Sequence, residues 1–385
     1  MAYTARWRSS SHGGAPSSVT EIVAVRGYRQ RQPFAAGEYA TSGGSASGFD
    51  STIVVLDTAG GITGWGEMAP LGSFYAPSFA AGARAGLAEL APSLIGQDAA
   101  QPLGVAVHMD AALRGHPYVK SAIDMACWDA AARIRGVPLC TALGGGQGES
   151  VELYRSIPPV APDRAAALAR RHLAEGYRRL QVKVGGEPAL DAERLAAVRD
   201  VAGPDIVLFA DANAGWSTSS ALRFVRLAAD VDHVLEQPCD TLAECRLVRE
   251  HCTSPMVLDE SIDSMAALLA AWRDGIAGGV TIKIARVGGV TRAAQIRDVA
   301  VELGMMVTVE DTGGAGIDTA AMAHLSVSTP ERYRMHTVDF NAWVTVDNAE
   351  GMPAPRNGRL APSDGPGLGV RVLDGALGEP FLQVP

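Results

Sequence analysis

Aromatic residues are scarce in this chain of 385 residues, at 6%, so Ala, Val and Leu must fill most of the core. Positive charge is also short: 33 Lys and Arg stand against 42 Asp and Glu, a net charge of -9. No basic patch is available to neutralise a run of phosphates, which excludes a nucleic-acid partner. The five cysteines, Cys127, Cys140, Cys239, Cys245 and Cys252, are odd in number and lack CxxC spacing. They form no disulfide framework and read as thiols of a reducing compartment. No apolar run is long enough to span a membrane, and the N-terminus lacks the apolar core of a signal peptide. These absences place the protein in the cytoplasm, without a membrane partner.

What is present falls into two regimes. Residues 1–17 are Ser- and Gly-rich and read as a flexible extension. From 18 to 145, strand-like runs such as Glu21-Ile-Val-Ala-Val-Arg26 and Ser51-Thr-Ile-Val-Val-Leu56 come first, with turns at Gly43, Gly44 and Gly60-Gly61. Ala-rich helical spacing follows from 79 to 135, broken at Pro92 and Pro117, so this unit is α+β. From 146 to 350, short apolar runs alternate with helical stretches: Val151–Tyr154, Leu180–Val184, Ile206–Ala210, His233–Leu235, Pro255–Leu258, Val280–Ile284 and Met306–Val309. Strand runs buried on both faces call for a parallel sheet, and seven or eight β/α units call for a barrel of the α/β class. An open doubly wound sheet is disfavoured because no Gly-rich dinucleotide loop follows an early strand. Residues 351–385 form a last segment that returns to the first unit.

The chemistry sits where these runs end. Lys183, Asp211, Glu236, Asp259 and Lys283 follow or end successive runs, with gaps of about 25 residues, one β/α unit each. In a barrel the carboxyl ends of the strands share one mouth, so three carboxylates converge there with a lysine on either flank. Three such acids repel one another unless a cation joins them, and an all-oxygen set suits Mg²⁺ better than zinc. Beside a dication an ammonium is disfavoured, so the lysine pKa falls toward neutrality and a general base results. Two bases on opposite flanks address both faces of one carbon, with the metal holding a substrate carboxylate.

Several motifs are recognisable. Leu180-Gln-Val-Lys183, Asp211-Ala-Asn213, Leu235-Glu-Gln-Pro238, Leu258-Asp-Glu260 and Lys283-Ile-Ala-Arg-Val-Gly-Gly289 resemble the mandelate racemase/muconate lactonizing branch of the enolase superfamily. So do Gly64-Trp-Gly-Glu67, Ala122-Ile-Asp-Met-Ala126 and Gly365-Pro-Gly-Leu-Gly369, and the resemblance runs from about Ser18 to the C-terminus. It implies an α+β capping domain over a modified (β/α)7β barrel, one Mg²⁺ on Asp211, Glu236 and Asp259, and a homo-oligomer. One departure stands out: the branch carries Lys-x-Lys on the second barrel strand, and this chain has Gln181 at the first position and Lys183 at the second.

Within the branch, Gly72-Ser-Phe-Tyr-Ala-Pro-Ser78 and Leu235-Glu-Gln-Pro-Cys239 resemble epimerases of proline betaines. Cys239, Thr329-Pro-Glu-Arg332 and Val344-Thr-Val346 resemble dehydratases of cis-3-hydroxy-L-proline. The resemblance implies a small, proline-derived carboxylate substrate and its dehydration to Δ1-pyrroline-2-carboxylate. The alternative is 2-epimerisation of proline betaine or a hydroxyproline betaine. One-base cycloisomerisation and a non-catalytic barrel are the remaining readings. A betaine pocket needs aromatic faces for its quaternary ammonium, and Tyr75 offers one. Where those epimerases place a tryptophan, this chain reads Glu310-Asp-Thr-Gly-Gly314 and a wall is lost.

The other candidates carry two readings each. Tyr75, Gln181 and Asn213 contact or orient substrate, or serve local structure. Glu310 and Asp311 meet the substrate amine or Lys283, or form an ion pair at the barrel mouth. Glu260 orients Lys283. Gly43 and Gly44 suit a mobile lid or a plain turn. Trp65 and Trp128 read as core, and neither His116 nor His324 reads as catalytic.

Overall fold

A computed structural model describes residues 18–352, 354–373 and 375–385; the extension assigned to residues 1–17 lies outside them. Among the described residues no helix is long and apolar enough to cross a membrane. All five cysteines are unpaired.

The first unit is built on an antiparallel sheet of four strands in the order Leu382–Val384, Ile22–Pro33, Gly48–Thr58, Thr63–Met68. The run Thr52-Ile-Val-Val-Leu56 is buried throughout because it lies in the middle of this sheet. The chain's last strand pairs with the first, Val25 opposite Val384, and so ties the C-terminus to the cap. Two helices cover the sheet, Ala80–Leu94 and Pro117–Arg135, and a third, Pro102–Ala112, packs on them. Pro92 does not break the first of them, which runs on through it to Leu94. Pro117 opens the helix Pro117–Arg135 at its first position, where the missing N–H has no intrahelical partner to lose.

Two recognisable motifs meet where that helix crosses the sheet. A Cβ on Gly64 would lie 2.1 Å from the Ala126 carbonyl oxygen, and one on Gly66 would lie 1.9 Å from that of Ala122. Glycines on the strand and alanines four apart on the helix are therefore one packing solution, with backbone against backbone.

The second unit is a parallel barrel. Seven strands neighbour one another in chain order: Tyr154–Ile157, Arg179–Lys183, Val207–Asp211, Val234–Glu236, Met256–Leu258, Gly279–Lys283 and Met306–Glu310. The first apolar run divides. Val151–Glu152 pairs outside the barrel with Arg359–Leu360, and only Tyr154–Ile157 joins the parallel sheet. An eighth extended segment, residues 334–337, closes the circle through parallel bridges from Arg334 to Val307 and from Thr337 to Leu153. Met335 donates its N–H to the Val307 carbonyl (2.8 Å) and Thr337 donates to that of Glu152 (3.0 Å).

Buried carboxylates join cap to barrel. Glu67 accepts hydrogen bonds from Gln32 Nε2 and Ser51 Oγ in the cap, both at 2.7 Å. Its other oxygen accepts the backbone N–H groups of Ala315 (3.1 Å) and Asp318 (3.2 Å), at the start of the barrel helix Gly316–Val327. Asp124 does the same for Val290–Glu302 through the N–H (2.8 Å) and hydroxyl (2.6 Å) of Thr291. Asp129 accepts from Trp65 N (3.0 Å) and from Leu368 N (2.7 Å) in the C-terminal Gly-rich motif. The free N–H groups and positive end of a helix reward a carboxylate placed there. Trp128 donates its indole N–H to Thr291 Oγ1 (2.8 Å), and with Trp65 packs against the core.

Two outcomes follow for stability. Gly66→Ala forces its methyl into the Ala122 carbonyl, costing about 3 kcal/mol or more and lowering the melting temperature by on the order of 10 °C; an unchanged melting temperature contradicts the packing account. His324 is fully buried, accepts from Cys140 N (3.2 Å) and donates from Nε2 to Leu368 O (3.1 Å), so it is held neutral. Burial pushes its pKa from 6.5 down to about 4. Its contribution is therefore intact above pH 6.5 and is lost as pH falls toward 4, on the order of 3 kcal/mol in all. Thermal unfolding between pH 7 and 4 shows this loss in the native chain and a flatter profile in His324→Gln.

Candidate active site at the barrel mouth

The strands end in the residues that matter. Lys183, Asp211, Glu236, Lys283 and Glu310 are each the last residue of a strand, and Asp259 is one residue past Leu258. Register brings them side by side: Lys183 pairs with Asp211, Asp211 with Glu236, and Lys283 with Glu310. Gln181, two residues before Lys183, points to the same side of its strand. All seven are between 1% and 6% exposed.

The mouth is a dense network of charges. Lys183 Nζ lies 2.5 Å from Asp211 Oδ2. Lys283 Nζ lies 2.8 Å from Glu310 Oε2 and 3.4 Å from Asp259 Oδ2. Arg286, on the short helix Ile284–Val287, donates to Asp259 Oδ1 (2.6 Å) and to its carbonyl (2.8 Å). Tyr75 Oη donates to Asp259 Oδ2 (3.1 Å) and accepts from Arg286 Nη2 (3.1 Å). Glu236 lies between the two flanks and accepts from Gln181 Nε2 (3.0 Å) and Thr281 Oγ1 (3.2 Å).

Six carboxylates, Asp211, Glu236, Asp259, Glu260, Glu310 and Asp311, thus share three cations, Lys183, Lys283 and Arg286. The imbalance shows in the titration. Burial, then Asp211, Asp259 and Glu310, push Glu236 well above the usual carboxylate range. Burial, then Asp259 and Asp211, raise Glu260 to about 7. Burial would raise Asp259 too, but Arg286 and Lys283 outweigh it and hold that carboxyl low. For both lysines burial favours the neutral amine, yet Asp211 beside Lys183, and Asp259 and Glu310 beside Lys283, reverse the direction and raise both pKa values. These contacts stabilise the ammonium forms, because the carboxylates bind them directly; the fall toward neutrality is expected of a lysine beside a bound dication.

The donor set suits a hard divalent cation. It is all oxygen, and four buried acceptors have no hydrogen-bond partner among the described residues: Gln181 Oε1, Asn213 Oδ1, Glu260 Oε2 and Glu310 Oε1. As the side chains stand, no three Asp, Glu, His or Cys groups among the described residues converge closely enough to ligate an ion. Lys183 and Arg286 hold carboxylate oxygens of Asp211 and Asp259 on either side of Glu236. The loops that follow these strands are strained, with positive φ at Asn213 (44°), Ala214 (60°) and Gln237 (33°).

Other expectations are redistributed. Glu260 does not orient Lys283; its Oε1 accepts from Asn213 Nδ2 (3.1 Å), and Glu310 and Asp259 are the lysine's partners. Asp311 lines the cavity, but its carboxylate accepts the N–H groups of Ala285 (both oxygens, 3.0 Å) and Thr312 (2.7 Å). It holds the turn after Lys283 and is not aimed at a ligand. Sequence reading missed Arg286, Thr281, Tyr39, Tyr154 and Trp343, all at or around the cavity except Arg286 and Thr281, which brace Asp259 and Glu236. Arg286 was visible inside the Lys283–Gly289 motif, three residues from the lysine and so on its side of a helical turn.

The cap covers the mouth and leaves a small cavity between its loops and the strand ends. Its hairpin, Tyr39–Thr41 with Gly44–Ala46, carries Ser42 at the turn, and Ser42 Oγ donates to the Ala212 carbonyl (2.8 Å). A Cβ on Gly185 or Gly215 would come within 2.9 or 2.6 Å of Ser42, so glycine lets the hairpin seat. The cavity is aromatic despite the Glu310–Gly314 sequence, because Trp343 enters from beyond the eighth barrel segment and lies tilted against Tyr39, with ring centroids 5.0 Å apart. The Tyr39 ring lies 5.8 Å from Lys183 Nζ and the Tyr75 ring 5.6 Å from Lys283 Nζ.

This architecture defines a class. Residues 22–144 match the mandelate racemase/muconate lactonizing enzyme N-terminal domain and residues 164–376 the enolase C-terminal domain-like family. The chain belongs to the enolase superfamily, in its mandelate racemase/muconate lactonizing enzyme branch. It is 43% identical to cis-3-hydroxy-L-proline dehydratase of Roseibium aggregatum, over 94% of this chain and 99% of that one. It is 32% identical to the hydrophobic dipeptide epimerase of Roseobacter litoralis, over 85% and 93%. Among solved structures, an enolase-superfamily member from Roseovarius nubinhibens complexed with magnesium superposes with a TM-score of 0.90 at 38% identity, covering 94% and 99%.

Proposed function

We propose that this chain dehydrates cis-3-hydroxy-L-proline to Δ1-pyrroline-2-carboxylate, beginning with removal of the proton next to the carboxylate. The observation that carries this reading is the pair of buried lysines, Lys183 and Lys283, on opposite flanks of Asp211, Glu236 and Asp259. The 43% identity to a dehydratase of this substrate, across nearly the whole of both chains, supports it.

Ring stereochemistry connects the two lysines to this substrate. In the cis isomer the 3-hydroxyl shares a ring face with the carboxylate, so the α-hydrogen lies on the opposite face from the leaving oxygen. One lysine, as the free amine, takes the proton from C2. The other, as the ammonium, donates to the departing hydroxyl from the other face. The C2–H and C3–O bonds break, a C2–C3 double bond forms, and water leaves. The resulting enamine tautomerises by moving its N–H proton to C3, which gives the cyclic imine.

Asp211, Glu236 and Asp259 are the residues that would hold a magnesium ion. When bound, that ion supplies charge stabilisation to the substrate carboxylate and disfavours the ammonium forms of the nearby lysines. Arg286 and Tyr75 fix Asp259, and Gln181 and Thr281 fix Glu236, so the carboxylates keep their places while the lysines exchange protons. The cap hairpin and the loop carrying Tyr75 exclude bulk water, which strengthens each of these contacts.

The second reading, 2-epimerisation of proline betaine or a hydroxyproline betaine, uses the same lysines. The aromatic lining from Tyr39, Tyr154 and Trp343 is the observation that favours it.

Proton NMR in D₂O with Mg²⁺ separates the two. Dehydration consumes the C3–H signal of cis-3-hydroxy-L-proline, whereas epimerisation exchanges the α-hydrogen of a betaine and keeps its substituents. Lys183→Ala and Lys283→Ala each lower dehydration by at least about a hundredfold. Full turnover in both variants contradicts the lysine assignment.

A further inference from the structure

We propose that Gln181 selects substrates whose ring nitrogen still carries hydrogen, by accepting an N–H of the protonated secondary amine at its Oε1. The proposal rests on the reading of the substrate as a proline-type amino carboxylate. It goes beyond that reading in naming the group that distinguishes such an amine from a fully methylated betaine.

The carboxamide has only one orientation. Its Nε2 donates to Glu236 Oε2 at 3.0 Å, and with Glu236 ionised as a ligand of a divalent cation its oxygens only accept, so nitrogen faces Glu236 and oxygen faces away. That oxygen is buried and has no partner among the described residues, and the side chain, 2% exposed, lines the cavity. A second acceptor in the same cavity, Glu310 Oε1, is also unpaired, because Lys283 engages the other oxygen of that carboxylate. The cationic groups of the mouth are already committed to Asp211, Asp259 and Glu310. The cavity therefore presents acceptors, and a complementary ligand brings donors.

A protonated secondary amine carries two N–H donors and positive charge. A quaternary ammonium carries the charge and no donor, so it would bury Gln181 Oε1 against methyl groups. Aromatic faces do not offset this fully, because the rings of Tyr39 and Tyr75 already face Lys183 and Lys283. A lysine at this position, as the Lys-x-Lys pattern of the branch has it, would oppose a cationic amine with a second positive charge; glutamine removes that conflict and supplies the acceptor.

The test is calorimetric binding of L-proline and L-proline betaine to the magnesium-loaded full-length protein, beside the NMR turnover assay with cis-3-hydroxy-L-proline. The native chain binds proline at least about tenfold more tightly than the betaine, as expected for a hydrogen bond to a charged group. Gln181→Met, close in shape and without the acceptor, brings the two affinities within about threefold. Gln181→Lys, which replaces the acceptor with donors, loses the preference as well and serves where the methionine variant does not fold. Equal affinities in the native chain, binding of neither compound, or a full preference retained by either variant overturns the proposal. Turnover without the preference contradicts the role of Gln181 alone; the preference without turnover contradicts the dehydratase reading and leaves that role standing.

Discussion

An excess of buried negative charge at one end of the barrel is the constraint on which the rest of this structure depends. Asp211, Glu236 and Asp259 come from adjacent strands, Glu260 directly follows Asp259, and Glu310 with Asp311 sits at the end of the seventh strand; among the described residues three cations, Lys183, Lys283 and Arg286, stand against them. Carboxylates packed this closely in a water-poor site oppose one another's ionisation, as the upward displacement of Glu236 shows. Three cations answer part of the charge and leave oxygen lone pairs over. The same excess that disfavours the site as it stands suits it to a divalent cation and to a substrate that is itself a donor.

The cap is the other half of that arrangement. Ser42 and Tyr75 reach the barrel's polar end from two separate loops, and each contacts it by hydrogen bonds rather than by apolar packing. Further out, Glu67, Asp124 and Asp129 fasten the cap sheet and its long helix to barrel helices and to the C-terminal motif. Glu67 and Asp124 sit at helix N-termini and Asp129 between a cap strand and the C-terminal motif, and in each case backbone N–H groups satisfy the buried carboxylate. The cap is therefore fixed at its base, and the cavity forms where its two loops meet the strand ends.

Much of this was legible in the sequence, and the reasons for the omissions are physical. Apolar runs each followed by an ionisable residue announce strands whose ends share a mouth, and the acids and both lysines were found that way. The eighth barrel segment, Arg334-Met-His-Thr337, has no apolar run to announce it: Arg334 and His336 break the pattern, and its two bridges form only with the barrel already present. Tyr39 and Trp343 were invisible for a different reason, since they enter the cavity from a cap hairpin and from beyond the last strand, far from any strand-end pattern. Glu260 was assigned to Lys283 because it directly follows Asp259, whereas strand register gives the contact to Glu310, the other acid the sequence offered for that lysine. Gly64 and Gly66 were recognised as a motif, but only their closeness to the carbonyls of Ala126 and Ala122 explains them.

The measurement that tests the central claim most directly is a calorimetric titration of the protein with Mg²⁺, for the native chain and for Glu236→Gln. If the mouth's excess charge is met by a divalent cation, the native chain binds one ion per chain, and the variant, which removes one carboxylate and keeps its shape, binds at least about tenfold more weakly. Absence of Mg²⁺ binding in the native chain, or an affinity unchanged in the variant, contradicts the account.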